Sequence, residues 1–548
     1  MGSPAPTDLR HLGDFSVDRR MLTIAAFALP IGALSAGVAW ALLRLIGLIT
    51  NLVFYQRFGT ALVAPGEGHH SPLLILLAPV CGGLVIGLVA RFGSEKIRGH
   101  GIPEAIESIL TAGSRVQPRV ALLKPFASAV AIGTGGPFGA EGPIIMTGGA
   151  FGSISAQLLH LSADERKTLL VCGAAAGMAA TFNAPLASVL LAVELLLFEW
   201  RPRSFVPVVA AVAVATVVRV PLLGGGAVFP APTGALHLDA GAYGLCVVAG
   251  LLAGLLALLA TTLVYLSEDA FGRLPIHWMW WPAIGGLVVG VGGLIVPQAL
   301  GVGYNVIEAE LDGTIALNLI VGILVVKTLI WSLSLGSGTS GGVLAPMLMI
   351  GGALGGLEAQ VFPHVAAGFW PLVGLAGVLG GVMRSPLTGV VFALELTHRY
   401  EALLPLLVGA TAAYAISVLV LRRSVLTEKI ARRGIHLSRE YSIDPLEVLF
   451  VGDVMEDGGT PAAAAPPGPV VYVDDTLRHV AYAMAESGQT VLPVAERGHP
   501  SRTIGTVGLE QLLAGRLRDL DEERHRSRVL RPLELIRIGR AARPTGEA

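Results

Sequence analysis

Charge is scarce in this chain. Asp, Glu, Lys and Arg make up 14% of its 548 residues and nearly cancel, to a net charge of -1. There is no basic tract of the kind that nucleic acid requires, so nucleic acid is excluded as a partner. Hydrophobic residues make up 53% and the mean hydropathy is +0.69. The sequence therefore predicts an integral membrane protein whose solvent is the lipid bilayer.

Cysteine is rare as well. Cys81, Cys172 and Cys246 all lie in apolar runs, and an odd number of cysteines argues against a disulfide framework. We expect three small buried side chains. The polar segment 1–20 lacks the apolar stretch of a cleavable signal and is assigned to the cytoplasm.

Apolar runs long enough to cross a bilayer are plentiful. A span needs roughly 20 apolar residues, and such runs begin near Met21, Pro72, Leu169, Phe205, Gly241, Met279, Ala316, Phe369 and Leu403. Other runs are broken by some of the 70 glycines and 34 prolines. Interrupted helices persist at membrane depth only where protein or a water-filled cavity satisfies the free backbone groups. These breaks predict a transport pathway.

Basic residues predict the orientation. They cluster before the first span, after the second and after the last, at Arg19, Arg20, Arg91, Lys96, Arg98, Arg422, Arg423, Lys429, Arg432 and Arg433. By the positive-inside tendency these clusters face the cytoplasm. We therefore expect both termini in the cytoplasm and the protein in a plasma or inner membrane.

The membrane region contains an internal repeat. EGPIIMTGGAFGSISAQ at 141–157 is echoed by APMLMIGGALGGLEAQ at 345–360, and FNAPLASVLLAVEL at 182–195 by MRSPLTGVVFALEL at 383–396. Duplicated segments interrupted by Gly and Pro at matching positions indicate a site near the bilayer midplane, between the repeats. The offset alone leaves open whether the halves are inverted.

Three glycine-bearing loops each lead to a proline and an apolar helical stretch. The prolines are Pro103 in GHGIP, Pro143 in GAEGP and Pro346 in GGVLAP. Proline favours the first helical turn, where its missing N–H costs nothing. Each stretch predicts a helix N-terminus with unpaired N–H groups and the positive end of a helix dipole. Three such ends would together bind an anion, unless the Gly-Pro pairs merely punctuate loops.

A carboxylate also stands in this apolar region. Glu141 lies two residues before Pro143, and a charge at membrane depth costs on the order of 2.5 to 3.5 kcal/mol on insertion scales. Its side chain can occupy the amides that would hold an anion and swing away when it is protonated. We therefore expect a gate that couples anion occupancy to pH. The alternative is a capping carboxylate that never moves.

These segments resemble the CLC family of chloride channels and proton-coupled chloride exchangers. The family patterns GSGIP, G(K/R)EGP and GGxFxP match residues 99–103, 139–143 and 341–346. The resemblance implies an all-α polytopic membrane protein, a CLC-type inverted repeat of broken helices, that works as a homodimer with one anion pathway in each subunit. The implied ranges are 21–436 for the membrane domain, with repeats at about 60–200 and 240–421.

The resemblance also implies site residues. Glu141 corresponds to the external gating glutamate. Chloride, or another small anion, would be held near the backbone amides of Gly101, Ile102, Ala140, Gly142, Val343 and Leu344.

Departures from the family pattern bear on mechanism. His100 stands in place of a serine that contacts the anion; it offers an N–H donor and could relay protons, or be a plain loop histidine. Leu344 replaces a phenylalanine, Leu195 aligns with the inner proton glutamate, and Thr427 aligns with an anion-contacting tyrosine. The sequence therefore favours chloride permeation that is passive or weakly proton-coupled, with a chloride/proton antiporter as the alternative.

Two further glutamates have matching positions in the repeats. Glu194 directly precedes Leu195, and its counterpart is Glu395. This pairing favours a structural role at helix ends over a place in a proton path.

The composition becomes charged and mixed after Arg433. Following the Ala/Pro linker EDGGTPAAAAPPGP, a β-α-β-β-α order within 437–535 resembles a single cystathionine-β-synthase (CBS) module, with a tail at 536–548. A homodimer would bring two modules together. Gly508 and Gln511 replace residues common in nucleotide-binding members, so a structural role is preferred over nucleotide binding and no cofactor is predicted.

A serine-protease interpretation also exists. GTSG at 338–341, which contains Ser340, fits the G-x-S-G of intramembrane serine proteases, and His398 lies on a later segment. Such short motifs match by chance often, and the third anion loop explains the same residues. We therefore predict no enzyme activity and no metal site.

Overall fold

The computed structural model describes residues 19–232, 236–435, 444–457, 469–514 and 517. The described residues fall into two compact units, a larger one within 19–435 and a smaller one within 444–517. The larger unit is built from helices, and the smaller one combines helices with a sheet. The predicted fold classes are thus confirmed.

The larger unit has two halves. The helices of the first half are α1 Arg20–Tyr55, α2 Pro72–Phe92, α3 Ile102–Thr111, α4 Pro118–Gly133, α5 Glu141–Leu158, α6 Ala163–Phe182, α7 Pro185–Leu191 and α8 Pro202–Leu223. A short 3-10 helix, Glu95–Ile97, precedes α3, and a π-helix, Ala192–Leu197, continues α7.

The second half follows a similar order. Its helices are α9 Ala240–Gly272, α10 Trp281–Ile295, α11 Tyr304–Leu311, α12 Leu317–Gly322, α13 Thr328–Gly336, α14 Leu344–Glu358, α15 Phe369–Met383, α16 Pro386–Thr397, α17 Leu403–Val420 and α18 Val425–Arg432. A π-helix, Ile323–Lys327, joins α12 to α13, and 3-10 helices cover Trp278–Trp280, Pro297–Ala299 and Tyr400–Ala402.

The packing of α2 on α10 reveals that the halves are inverted. These helices hold matching places in the two halves, and they touch through glycines. A Cβ atom on Gly83 would lie 2.2 Å from the Pro282 carbonyl oxygen, and one on Gly290 would lie 2.5 Å from that of Leu76. Residue numbers rise along α2 as they fall along α10, so the helices are antiparallel. This confirms the inverted repeat.

A second crossing recurs in both halves. In the first half, α5 and α6 touch where Gly148 faces the Gly173 carbonyl, 2.3 Å from an ideal Cβ position. In the second half, α14 and α15 touch where Gly351 faces the Gly374 carbonyl at 2.6 Å. Small residues allow such close backbone approach between membrane helices. The glycine-rich composition thus serves the packing as well as the breaks.

Two of the predicted spans are wrong. Seven helical segments among the described residues are long and apolar enough to cross a membrane, but the runs from Leu169 and Phe369 are not among them. Helix α15 has 15 residues, all of them buried, and α6 begins with the charged sequence Ala-Asp-Glu-Arg-Lys. Helices that are apolar on every side also occur inside a protein, so these two lie in the interior.

The expectation for cysteine is also partly wrong. All three cysteines are free, and Cys172 and Cys246 are buried as expected. Cys81 is exposed, because it lies on the outward face of α2.

The smaller unit carries a four-stranded sheet. Its elements are α19 Pro445–Val448, α20 Val451–Val454, β1 Glu456–Asp457, β2 Val471–Tyr472, α21 Leu477–Ser487, β3 Val491–Glu496 and β4 His499–Gly508. The strand order is β1-β4-β3-β2, with β2 parallel to β3 and the other pairs antiparallel. Residues 509–514 are helical. The linker was predicted at 456–469, but its first two residues, Glu456 and Asp457, form β1. Residues 458–468 of that linker, the predicted tail at 536–548 and residues 1–18 of the predicted segment 1–20 lie outside the described residues.

Candidate functional site

The loops that precede α3, α5 and α14 meet in the interior of the larger unit. The Gly99 N–H donates to the Thr339 carbonyl at 3.0 Å, and the Gly342 N–H donates to the Gly139 carbonyl at 2.8 Å. These bonds tie together loops that are far apart in the sequence. Three helices therefore begin at one place.

Each predicted proline lies in the first turn of its helix. Pro103 is the second residue of α3, and Pro143 and Pro346 are the third residues of α5 and α14. The prolines thus mark helix starts, as the sequence suggested, and all three are buried.

Glycine allows these loops to touch. A Cβ atom on Gly142 would lie 1.8 Å from the His100 carbonyl oxygen, and one on Gly101 would lie 2.4 Å from the Gly142 carbonyl oxygen. Gly101 also has a φ of +92°, which L side chains rarely adopt. Neither position tolerates a side chain without moving the backbone of its neighbour.

The carboxylate of Glu141 occupies the N-terminus of α14. Its Oε1 accepts hydrogen bonds from the Leu344 N–H at 2.5 Å and the Ala345 N–H at 3.3 Å. The side chain is fully buried, and no donor among the described residues reaches Oε2. Glu141 begins α5 yet bonds to the amides of α14, so it bridges two of the three helix starts. One oxygen is left without a partner.

The sequence did not single out Tyr304, the first residue of α11. The Tyr304 hydroxyl is buried without a hydrogen-bond partner among the described residues, and it is close enough to Glu141 for a charge interaction. Its ring packs edge-on against Phe182 and Phe229, with centroids 6.3 and 5.3 Å away. A signal existed, because Gly301-Val-Gly303-Tyr304 repeats the pattern Gly-His-Gly-Ile of residues 99–102.

His100 lies beside a cluster of charged side chains. It is 4% exposed, and its Nδ1 has no hydrogen-bond partner among the described residues. Glu104 accepts from the Lys429 ammonium at 2.6 Å, and Lys124 interacts electrostatically with His100 and Glu104. Two lysines, Lys124 and Lys429, thus flank the single carboxylate of Glu104 beside His100.

An open cavity reaches this cluster. Its volume is about 330 Å³, and its lining includes His100, Glu104, Glu268, Lys429 and Arg433. The imidazole of His100 thus lies between the cavity and the meeting point of the loops.

The predicted anion-binding amides have different partners. The Gly101 N–H donates to Glu104 Oε2 at 2.8 Å, so within this structure it is already taken. The Leu344 N–H is held by Glu141, as described above. Ile102, Ala140, Gly142 and Val343 are buried at the same three helix starts. An anion that binds at the start of α14 would therefore compete with Glu141 for the Leu344 and Ala345 N–H groups.

Thr427 serves its own helix. It lies on α18, where its hydroxyl accepts from the Ser424 N–H at 3.0 Å and exchanges a hydrogen bond with the Ser424 hydroxyl at 3.1 Å. The Thr427 hydroxyl was expected to contact the anion, but the hydrogen bonds it makes are to Ser424, at the N-cap of its own helix.

Glu194 and Glu395 cap helices across the repeat. Glu395 accepts from the N–H groups of Leu186 and Ala187 at 2.9 and 2.8 Å, at the start of α7. Glu194 accepts from the Thr388 N–H at 3.2 Å and from its hydroxyl at 2.5 Å, at the start of α16. Each half thus caps a helix of the other half, and both carboxylates stabilise helix N-termini.

Ser340 is not placed as a nucleophile. Its hydroxyl is fully buried and exchanges a hydrogen bond with the Ser128 hydroxyl at 2.8 Å. His398 instead stacks on Tyr400, with ring centroids 6.1 Å apart. A serine nucleophile needs a base within hydrogen-bond reach, and Ser128 is not one.

Comparison with known proteins agrees with this geometry. The family model for voltage-gated chloride channels matches residues 81–418. The chain belongs to this family, the CLC proteins. As a CLC protein it is an integral multi-pass membrane protein that transports anions, and it is not an enzyme.

Named relatives and solved structures extend the CLC match. The chain is 32% identical over 422 residues to the H(+)/Cl(-) exchange transporter ClcA of Salmonella arizonae, covering 72% of this chain and 85% of the relative. It superimposes on a slow cyanobacterial Cl-/H+ antiporter with a TM-score of 0.64 at 22% identity, covering 76% of this chain and 99% of the other. A eukaryotic CLC transporter gives 0.62 at 18%, covering 90% and 98%. At these low identities the two structures establish the fold alone.

Proposed function

We propose that this CLC protein exchanges chloride or a similar small anion for protons across a membrane. The observation that carries the proposal is the carboxylate of Glu141 on the amides of Leu344 and Ala345. An ionised carboxylate and a halide ion are both acceptors only, so either can satisfy these donors but not both at once. The 32% identical relative is named an exchange transporter, which favours exchange over passive conduction.

The exchange cycle follows from the two states of one carboxyl group. When Glu141 is ionised, its Oε1 holds the amides of α14 and blocks the anion. When Glu141 takes up a proton, it becomes a poorer acceptor and leaves the amides to the anion. Because the same group alternates between a proton and the anion site, movement of one ion depends on the other. Ile102, Ala140, Gly142, Val343 and Leu344 would supply the remaining amide surface, with the His100 imidazole at the cavity side.

The sequence favoured weak coupling because of Leu195, and that preference gives way to exchange here. Leu195 is fully buried and cannot bind a proton. A proton that reaches Glu141 from that direction would need another titratable group, and Glu194 directly precedes Leu195 in the sequence.

The proposal includes assembly and orientation. By resemblance to its family, the protein would form a homodimer with a pathway in each subunit, with both termini in the cytoplasm of a plasma or inner membrane. The smaller unit would be a CBS-like module, with two copies brought together by the dimer. Its Gly508 and Gln511 favour a structural role over nucleotide binding, because Gln511 already accepts from the Gly508 N–H at 2.9 Å.

A liposome experiment tests exchange directly. Purified protein in liposomes receives a chloride gradient with equal pH on both sides, while external pH is recorded. Exchange predicts that chloride moving down its gradient drives protons the other way, and that Glu141→Gln abolishes the proton movement while chloride flux persists. Chloride flux in the wild-type protein without any proton movement would leave a passive channel instead.

A further inference from the structure

Glu310 is a buried acid that the proposed cycle does not use. It lies on α11 and is fully buried, and no hydrogen-bond donor among the described residues reaches either carboxyl oxygen. A Cβ atom on Gly352 of α14 would lie 2.1 Å from its Oε2, so the carboxyl group packs directly on that helix. Burial without donors is costly for a carboxylate and far less costly for the neutral acid.

Lys327 is the charged neighbour of Glu310. Its ammonium is fully buried and donates to the carbonyls of Ala299 at 2.9 Å and Gly301 at 2.7 Å. An ammonium has three donors, so one is left uncommitted by these two carbonyls, and Lys327 interacts electrostatically with Glu310. Two carbonyls thus hold the Lys327 ammonium in place, and Glu310 is the acid that can neutralise its charge.

The other half of the repeat has the same lysine in a different setting. Lys124 donates to the carbonyls of Ile97 at 2.8 Å and Gly99 at 2.6 Å, as Lys327 does in the second half. The acid beside Lys124 is Glu104, and it is fully engaged by the Gly101 N–H and the Lys429 ammonium. Glu104 therefore has donors that hold it ionised, whereas no donor among the described residues reaches Glu310.

A short stretch of chain connects Lys327 to the gate. Lys327 holds the loop that ends at Gly303, and a Cβ atom on Gly303 would lie 3.7 Å from its Nζ. The next residue is Tyr304, whose hydroxyl interacts with Glu141. A change in the net charge of Lys327 and Glu310 therefore changes the electrostatic potential near Tyr304, next to the proposed anion site.

We propose that Glu310 is a second proton-binding group, which sets anion entry through Lys327 independently of Glu141. When Glu310 is protonated, the charge of Lys327 is uncompensated and attracts anions towards Glu141. When Glu310 is ionised, it pairs with Lys327 and this attraction is lost. The inference rests on the proposed anion transport and adds a titrating group to it.

Few other titratable groups face Glu310. Helix α11 packs on α14 and α15; α14 carries only Glu358, at its far end, and α15 carries none. The π-helix contributes Lys327. On α11 itself, Tyr304 interacts electrostatically with Glu141, and Glu308 is exposed.

Removal of the gate isolates the second group. Chloride efflux from liposomes is measured at a series of equal internal and external pH values for three variants: Glu141→Gln alone, Glu141→Gln with Glu310→Gln, and Glu141→Gln with Glu308→Gln. Glu308 is the matched control, an exposed glutamate on the same helix. We expect Glu141→Gln to keep a flux that rises with acidity, Glu310→Gln to remove that rise and leave a high constant flux, and Glu308→Gln to change nothing.

Two flux results would overturn the proposal. One is a Glu141→Gln variant whose flux is already independent of pH; the other is a double variant with Glu310→Gln that keeps the parent's pH dependence. If Glu141→Gln passes no anion at all, the proposed transport function fails, and the infrared measurement that follows still decides about Glu310.

Infrared spectroscopy examines the proton itself. A neutral carboxyl group gives a C=O stretching band that a carboxylate lacks, and we expect acidification of the detergent-solubilised protein to produce such a band in the wild type and in Glu308→Gln but with one component lost in Glu310→Gln. An unchanged band in Glu310→Gln rejects the proposal whatever the transport result. Glu310→Leu repeats both measurements if the Gln variant does not fold.

Discussion

In the proposed function, Glu141 decides whether the N-terminal amides of α14 are satisfied by the protein or by an anion from solution. Its Oε1 accepts hydrogen bonds from two buried N–H groups, those of Leu344 and Ala345, which would otherwise be unpaired. A buried donor without an acceptor costs about 1 to 3 kcal/mol. This cost explains why a charge stays at membrane depth. It also explains why an anion would enter only as the carboxylate leaves.

At the residue scale, Gly142→Ala tests whether the loops must touch. The added methyl group would lie 1.8 Å from the His100 carbonyl oxygen, so the loops must separate, at a cost of about 1 to 3 kcal/mol. We expect a lower thermal unfolding midpoint and a large loss of chloride flux. The matched control is Gly37→Ala on α1, where an added Cβ meets nothing within 4 Å. Equal stability of both variants would contradict the observed contact.

A second prediction at this scale concerns the ion pair of Glu104 and Lys429. Both side chains are mostly buried, with 6% and 15% of the side chain exposed, and removal of one partner of a buried pair typically costs 3 to 5 kcal/mol, so we expect about 3 kcal/mol for Lys429→Met. Adding Glu104→Gln should restore part of that loss, since the buried carboxylate that Lys429 leaves unpaired is then removed. Chemical denaturation of the single and double variants measures the free energy of unfolding. A double variant that is less stable than Lys429→Met would contradict the predicted ion-pair energy.

At the element scale, the reciprocal caps of α7 and α16 link the two repeats. Glu395→Ala leaves two amides of α7 without an acceptor, and cap removal costs about 1 kcal/mol, up to about 2. We expect a lower unfolding midpoint with an unchanged order of anion preference, because the caps lie away from the amides of α14. Glu308→Ala, on an exposed position, is the control. A change of anion preference in Glu395→Ala would place that residue in the pathway instead.

The sequence predicted these elements where a proline marked them. Pro103, Pro143 and Pro346 identified the starts of α3, α5 and α14, and the matching blocks identified the caps. Helix α11 escaped because Asn305 stands in its first turn where α3 has Pro103. For that reason the sequence analysis missed Tyr304, which begins α11.

Span assignment failed for a different physical reason. Composition cannot separate a helix surrounded by lipid from one surrounded by other helices, since both are apolar on every side. The run from Phe369 is of the second kind, since all 15 residues of α15 are buried, and the run from Leu169 belongs to a helix whose first turn is charged. Cys81 illustrates the converse, because an apolar run also contains positions on the outward face.

At the scale of the whole molecule, the two compact units have separate hydrophobic cores. The core of the smaller unit comprises residues such as Val471, Leu477, Leu492 and Val507, and none belongs to the core of the larger one. We therefore expect a variant that ends at residue 435 to fold and to retain chloride flux of the same order as the full chain. Liposome efflux checks this, and loss of folding or of flux in the shortened variant would show that the smaller unit is required.

The mode of transport was the least accessible from the sequence. Leu195 and Thr427 suggested weak coupling because they depart from a pattern, yet a departure says nothing about which other group can carry a proton. His100 and Glu310 gain meaning only from their surroundings: an imidazole nitrogen beside two lysines, and a carboxyl group without donors. Such surroundings arise from contacts between distant segments, which a single sequence does not specify.

The central claim is that a mobile anion and the Glu141 carboxylate contest the amides of α14. The most direct test is a crystal structure of Glu141→Gln grown in bromide, with the bromide located by its anomalous scattering. We predict a bromide ion within hydrogen-bond distance of the Leu344 and Ala345 amides, at the place that Glu141 Oε1 occupies in the wild type. Bromide found only elsewhere, with the Leu344 and Ala345 amides free or still held by the side chain at position 141, would contradict the account.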